Sequence, residues 1–554
     1  MKKKNFIIAA FAATTLLTGF TACSSDSDDK SGNGGGNNTQ IDETNVVKDD
    51  ASAVALVNGL YGNLQRLSSS YTFIVESAGS KLISFEGEES EPGPVVSRFE
   101  QQADTWYQVK IFNYLFLTVT QANEAIVSLN NSLAKGTVTQ TGYNAAVGKA
   151  KLLRGLANLK LVQLWGEIPL VNENGGSATE RKSIDEAFAQ IVSDLEDAES
   201  KLLDYNGDPR LPSKQAAQAL LVRTYLTWGE NPLTKDQVSA IANTQTDPAF
   251  SKTDSRLQKA VEYADKVISS GKLALNPNYA KLFGREYESN KLGDNEQLLT
   301  IAHDGDATDA QGNHQTHCSW TFPFQNGEYG SGFQDNHTEV ADDDLYDNWK
   351  AEQPNDKRLS VTYLTEIINP DDGNVYHYYT PVYTPINGKG VDQSYPHAIF
   401  DEINANSIDR IEIRYAEVLL SKAEALVLLN RSSEAAAPFN QLRKRAGIEE
   451  VEAPTFSQIK REWDYEFTYE QFDLYNHLRW KDLISATKEV STYKHFANDW
   501  KSKNTYTAAQ EAFFTKVYNH LHAKYNNVRG KHYRQPIPTG LSGENLGIEQ
   551  NPGY

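Results

Sequence analysis

IEIRYAEVLLSKAEALVLL, residues 411–429, is followed after Asn430-Arg431-Ser432 by SEAAAPFNQLRKRA, residues 433–446. Apolar side chains return every three or four positions in both stretches. Val418, Leu419, Leu426 and Leu429 mark the first, and Ala435, Phe439, Leu442 and Ala446 the second. That is the period of a helix with one buried face. A joint this short folds the two helices back on each other. Ala435-x3-Phe439 is the A-x3-F element of tetratricopeptide second helices, where a small residue lets the helices approach closely. Pro438 stands awkwardly in the second helix, because it removes a backbone donor.

The same period recurs upstream. Asp49 and Asp50 can cap a helix through Ala51, Leu56, Leu60, Leu64 and Leu67. Further helices are expected over 103–133, 143–164, 184–203, 213–228 and 256–270. Ala260-x3-Ala264 in the last is a smaller-residue variant of the A-x3-F element. The helices fall into pairs at no fixed spacing. The expected fold is therefore mainly α: about four imperfect tetratricopeptide-like helix pairs, stacked as a solenoid, in one domain over 46–554. Two long connections interrupt them, 68–100 and 274–407, and connections of that length carry function or structure of their own. Short strands are expected over 296–302 and 375–381.

The N-terminus reads as an export signal. Lys2, Lys3 and Lys4 precede an apolar run from Phe6 to Leu17, too short for a membrane span. Phe20-Thr21-Ala22-Cys23 closes it with small residues before a cysteine, although a leucine is usual where Phe20 stands. Residues 1–22 are expected to be removed by a lipoprotein signal peptidase, leaving Cys23 lipidated, with acyl chains enough for stable anchoring. Residues 23–45, with an acidic cluster from Asp26 to Asp29 and then Gly, Asn and Ser, have the composition of a flexible linker. The other cysteine, Cys318, then has no partner within the chain.

Composition excludes several classes. A formal charge of −20, from 53 basic and 73 acidic residues, argues against nucleic acid and against an anionic membrane surface as ligand. No later segment has the apolar length of a membrane helix, so the lipid is the expected membrane contact. No G-x-S-x-G, H-E-x-x-H, Walker or Rossmann signature stands in a fitting context, and 73 acidic residues make any paired-carboxylate argument empty. His314-x2-His317-Cys318 lacks an evident fourth ligand. Asp304-x-Asp306-x2-Asp309 lacks the glycine and closing glutamate of a calcium loop. Asp342-Asp343-Asp344 reads as a solvated face or helix start, and His520-x-His522 would point to opposite faces of a helix. No catalytic residue, metal or cofactor is expected.

The C-terminal half is the most recognisable. Arg414-Tyr415-Ala416-Glu417, Leu442-Arg443-Lys444-Arg445-Ala446-Gly447, Arg461-Glu462 with Tyr465-Glu466-Phe467, and Leu478-Arg479-Trp480-Lys481-Asp482-Leu483 follow in order. Pro536-Ile537-Pro538 and Gln550-Asn551-Pro552-Gly553-Tyr554 close the chain. Upstream stand Arg154-Gly155-Leu156-Ala157 and Trp165-Gly166-Glu167-Ile168-Pro169. Together these resemble the SusD/RagB family of outer-membrane nutrient-binding lipoproteins. The chain departs from the family pattern at Trp463 and at Glu470-Gln471-Phe472-Asp473, which replaces an E-G-x-R element. The resemblance implies tetratricopeptide-like pairs and a lipid anchor on the outer face of the outer membrane. It also implies a SusC-like TonB-dependent transporter as partner and an oligosaccharide or peptide as ligand. Asp26 to Asp29 then resembles the family's surface-export signal. Arg414, Glu417, Arg443 and Trp480 read as scaffold positions.

A sugar binder needs flat aromatic rings for the apolar ring faces and polar side chains for the hydroxyls. Aromatics crowd the two long connections. Trp320, Tyr329 and Trp349 are the expected stacking residues, with Arg98, Gln102, Asn326 and Asp335 as polar partners. The competing readings are a peptide- or protein-binding receptor or adhesin and, with less support, a glycan-degrading enzyme.

Overall fold

The computed structural model describes residues 46–79, 82–84, 92–283, 295–302, 339–341, 343–368, 375–378, 381–382, 386–389, 409–491 and 508–554. In chain order the helices are α1 (Asp50–Asn58), α2 (Leu60–Thr72), α3 (Pro92–Ser97), α4 (Trp106–Lys135), α5 (Gln140–Trp165), α6 (Ile184–Lys201), α7 (Lys214–Gly229), α8 (Lys235–Ile241) and α9 (Asp254–Ser269). After these come α10 (Asp343–Glu352), α11 (Leu359–Thr362), α12 (Tyr415–Leu428), α13 (Ser432–Ala446), α14 (Phe456–Phe467), α15 (Asp473–Trp480), α16 (Leu483–Ser491) and α17 (Ala508–Asn527).

Helix α2 packs on α4, α6 on α5, α9 on α7, and α13 on α12. These are the four expected pairs, and contacts of α5 with α4, of α7 with α6 and of α12 with α9 join them into a continuous array. Local chemistry sets the ends. Asp49 caps α1 by accepting from the Ser52 N–H at 2.7 Å, and Ser183 with Glu186 forms a capping box on α6. Gly136 ends α4 with φ +71°, a left-handed conformation a glycine adopts without cost. Within pairs, small residues set the spacing. A Cβ on Gly155 would stand 2.9 Å from Leu195 Cδ2, so α5 and α6 meet here only because the side chain is missing.

Strands are short and peripheral. The antiparallel hairpin of β1 (Ile168–Asn172) and β2 (Gly175–Lys182) follows α5. Strand β3 (Gln297–Ile301) pairs with β5 (Arg410–Arg414) across the base of the long insert, and β4 (Val375–Tyr378) lies within the second segment expected to be a strand. The fold departs from expectation at Ile411–Arg414. Those residues continue the helical pattern of 415–429 in sequence, yet they belong to β5, because β3 supplies a ladder that outcompetes one more helical turn. The first expected helix is likewise two, α1 and α2, divided at Gly59. Pro438 is accommodated inside α13 and is buried. His520 and His522 do fall on opposite sides of α17, one buried and one exposed, and Asp343 starts α10.

One large apolar core runs through the helical array. A smaller one joins the insert to α14 and holds Leu345, Tyr346, Trp349, Leu359, Tyr363, Tyr465 and Tyr469.

Candidate ligand-binding site

The chain leaving α3 turns at Arg98–Phe99 and again at Ala103–Asp104, and its burial alternates between them. Phe99 and Gln101 are buried and Ala103 partly so, whereas Glu100, Gln102 and Asp104 are exposed and Arg98 is half-buried. Two expected polar partners, Arg98 and Gln102, therefore share one outward row, and both hold Glu100. Arg98 Nε donates to its carboxylate at 2.9 Å, and Gln102 Nε2 donates to its backbone carbonyl at 3.1 Å. The row ends at Trp106, the first residue of α4, whose side chain is 52% exposed. A tight turn aims it: the Thr105 N–H donates to the Gln102 carbonyl and the Gln102 N–H to Thr105 Oγ1. The result is an open indole that closes a short exposed stretch carrying a guanidinium, an amide and two carboxylates, a combination suited to sugar faces and hydroxyls. Sequence reasoning missed Trp106, because a tryptophan opening a helix reads as core until its exposure is known.

Trp349 corrects the expectation made for it. It is 0% exposed, stacks on Tyr465 with ring centroids 4.5 Å apart at 14°, and donates from Nε1 to Asp356 at 3.0 Å. With its side chain wholly inside the small core, it packs the insert and presents no face to a ligand. Trp320, Tyr329, Asn326, Asp335 and Cys23 lie outside the described residues, as do the His314, His317, Cys318 and Asp304 clusters. Among the described residues no group of three metal-ligating side chains converges, and no helix is long and apolar enough to cross a membrane.

The motif residues of the C-terminal half form the root of the insert. Arg414 pairs with Glu296, Glu466 and Glu470, and Arg358 with Asp356, Glu462 and Glu466. Arg445 binds Glu296 and Glu466, Arg443 binds Glu462, and Lys389 binds Glu470 at 2.7 Å. Burial opposes the charge on Glu466, yet Arg445, Arg414 and Arg358 hold its carboxyl well below the usual range. Every charge here has a partner, so the network reads as architecture.

A family model described as "SusD family" matches residues 214–554, the half that carries this network. The chain belongs to the SusD family. A second family model, described as "Starch-binding associating with outer membrane", matches residues 42–226, the half that carries Trp106. A SusD-like protein of Formosa agariphila is 29% identical over 324 residues, spanning 55% of this chain and 56% of that one. A SusD-like protein of Bacteroides ovatus is 23% identical over 70% of this chain and 68% of its own length. Among solved structures, a SusD homolog from Bacteroides thetaiotaomicron superposes with a TM-score of 0.72 at 16% identity, covering 93% of this chain and 99% of that one. A "Laminarin binding SusD-like protein" gives 0.64 at 18%, covering 92% and 100%. A structure described "with xylogluco-oligosaccharide" gives 0.59 at 19%, covering 80% and 85%. At these identities the superpositions establish a shared fold. The SusD family motifs now have visible roles. Arg154 is buried and forks onto Asp194, and Trp165 donates to the Pro536 carbonyl at 2.8 Å, which joins two motifs far apart in sequence.

Proposed function

We propose that this SusD family member is a non-enzymatic glycan-binding lipoprotein of the cell surface, tethered through Cys23, that delivers its ligand to a SusC-like TonB-dependent transporter. The observation that carries the reading is the outward row Arg98, Glu100, Gln102, Asp104 ending on the exposed Trp106 ring. Relatives whose names or titles mention laminarin or a xylogluco-oligosaccharide support a glycan as the ligand class. The paired buried charges support a scaffold that holds a binding surface. Within the reading, residues 1–22 are the signal peptide, 23–45 the linker, and Trp320, Tyr329, Asn326 and Asp335 complete the site from the long insert.

Native electrophoresis through gels containing laminarin, xyloglucan or starch tests it. Retardation by at least one polysaccharide is expected, lost in Trp106→Ala and weakened in Trp320→Ala, with no new reducing ends. Migration unchanged in every gel, with retention on immobilised peptides instead, would turn the reading toward a peptide receptor. The transporter partner is tested separately: a large β-barrel should co-purify from mildly solubilised outer membranes and be absent after Cys23→Ala.

A further inference from the structure

The outward row has a back. Each inward residue of the 99–103 stretch meets a successive point on the C-terminal segment. The Phe99 ring lies 4.9 Å from that of His532. Gln101 Nε2 donates to Gln535 Oε1 at 3.1 Å, and the same oxygen accepts from Gln108 Nε2 at 3.0 Å. The Thr539 N–H donates to the Ala103 carbonyl at 2.9 Å, and Asn113 on α4 donates to the Thr539 carbonyl at 3.3 Å. The three amide side chains are all 1% exposed or less, so their directions are set by one another and not by water.

Phe99 adds a second sign of external control. Its φ is +58°, a left-handed conformation that a bulky L-residue adopts only when surroundings impose it. Its neighbour His532 is held uncharged, since burial pushes that imidazole down to about 3. The C-terminal segment is itself pinned elsewhere: the Gln535 N–H donates to the Leu164 carbonyl, and Trp165 donates to Pro536. A rigid bar, anchored on α5, thus runs behind the residues that carry the platform.

We propose that His532–Thr539 is the positioning element of the ligand site, and that the Gln535 amide, through Gln101 and Gln108, sets where Gln102 and Trp106 stand. This rests on the reading of Trp106 as a ligand platform. Gln535 is a positioning residue, since it lies behind the platform and touches no ligand.

The test uses the full chain labelled with fluorotryptophan, whose eight tryptophans give fluorine resonances; that of Trp106 is assigned by its loss in Trp106→Phe. In Gln535→Met the Trp106 resonance should shift and broaden, and Trp165 should report the strap directly. Affinity for laminarin should fall by about tenfold, the equivalent of one directional hydrogen bond. The triple variant Gln101→Met, Gln108→Met, Gln535→Met leaves no amide unpaired, so its melting temperature should recover toward wild type while the Trp106 resonance stays displaced. A Trp106 resonance unmoved in Gln535→Met, or restored in the triple variant, overturns the proposal. If Trp106→Ala retains laminarin binding while Gln535→Met still moves the resonance, the platform reading fails and the positioning role stands.

Discussion

His477 on α15 lies between two carboxylates, with Nδ1 2.8 Å from Asp482 and Nε2 3.2 Å from Asp473. Burial opposes its charge, but the two aspartates win and push the imidazole up to about 10. Because the folded value is raised, the stabilisation is fully present below the ordinary histidine value of about 6.5 and is lost as pH rises through about 10. His477→Gln should therefore be destabilised by of order 3 kcal/mol at pH 6, and the gap should narrow steadily toward pH 10. Melting curves of both proteins across that range check it; a gap independent of pH would show a neutral ring. The two tryptophans make a second contrast at this scale. Trp349→Ala opens a cavity in a closed core and should cost about 3–5 kcal/mol by urea unfolding. Trp106→Ala should leave the urea midpoint unchanged within about 0.5 kcal/mol and remove glycan binding. Neither outcome could be assigned from sequence, because both residues are tryptophans within a helix. What separates them is a tertiary fact: Tyr465 covers one ring, and solvent reaches the other.

At the scale of elements, the repeat helices were legible because their apolar period is local and each has a chemical start or stop. Ser183 with Glu186 on α6 and Gly136 after α4 are of that kind. The strand at Arg410–Arg414 was not legible, since its partner Gln297–Ile301 is more than a hundred residues away and a β ladder leaves no helical signature to contradict. The outward row was half legible. Arg98 and Gln102 were recognisable as polar groups in a long connection, but the alternation that aims them comes from the C-terminal segment behind. Helix-to-helix spacing gives a prediction of its own. Gly155 lets α5 approach Leu195 on α6, so Gly155→Val should destabilise the chain by about 2–3 kcal/mol despite removing a glycine from a helix, because overpacking outweighs the gain in helix propensity of about 0.5 kcal/mol. A higher urea midpoint than wild type would show that the pair separates without cost.

For the whole molecule, the question is how a helical array carries an insert of over a hundred residues without losing register. Apolar packing contributes the small core around Trp349, but the joint is chiefly ionic. Glu296, Asp356, Arg358 and Lys389 come from the insert, Arg414 from the strand that leads into the last repeat pair, Arg443 and Arg445 from α13, and Glu462, Glu466 and Glu470 from α14 and the turn after it. Buried pairs of this sort add little over an apolar core of the same shape, yet removing one member strands its partners. Glu466 is the sharpest place to cut, since Arg358, Arg414 and Arg445 all converge on it. Glu466→Gln keeps the shape and removes the charge, so it should cost about 3–5 kcal/mol at neutral pH. It should also expose the insert between Asp343 and Ile368 to protease before the repeat helices are cut. The pH dependence runs opposite to that of His477. The Glu466 carboxyl is held below its ordinary value of 4.5, so its contribution is present above that pH and is lost as pH falls through the depressed folded value. The stability gap between wild type and Glu466→Gln should thus stay constant from pH 8 to about 5 and close at more acid pH. Equal loss of the insert and the repeat helices in hydrogen exchange would mean that the network supports the fold generally; selective loss of the insert would show that it serves as the joint.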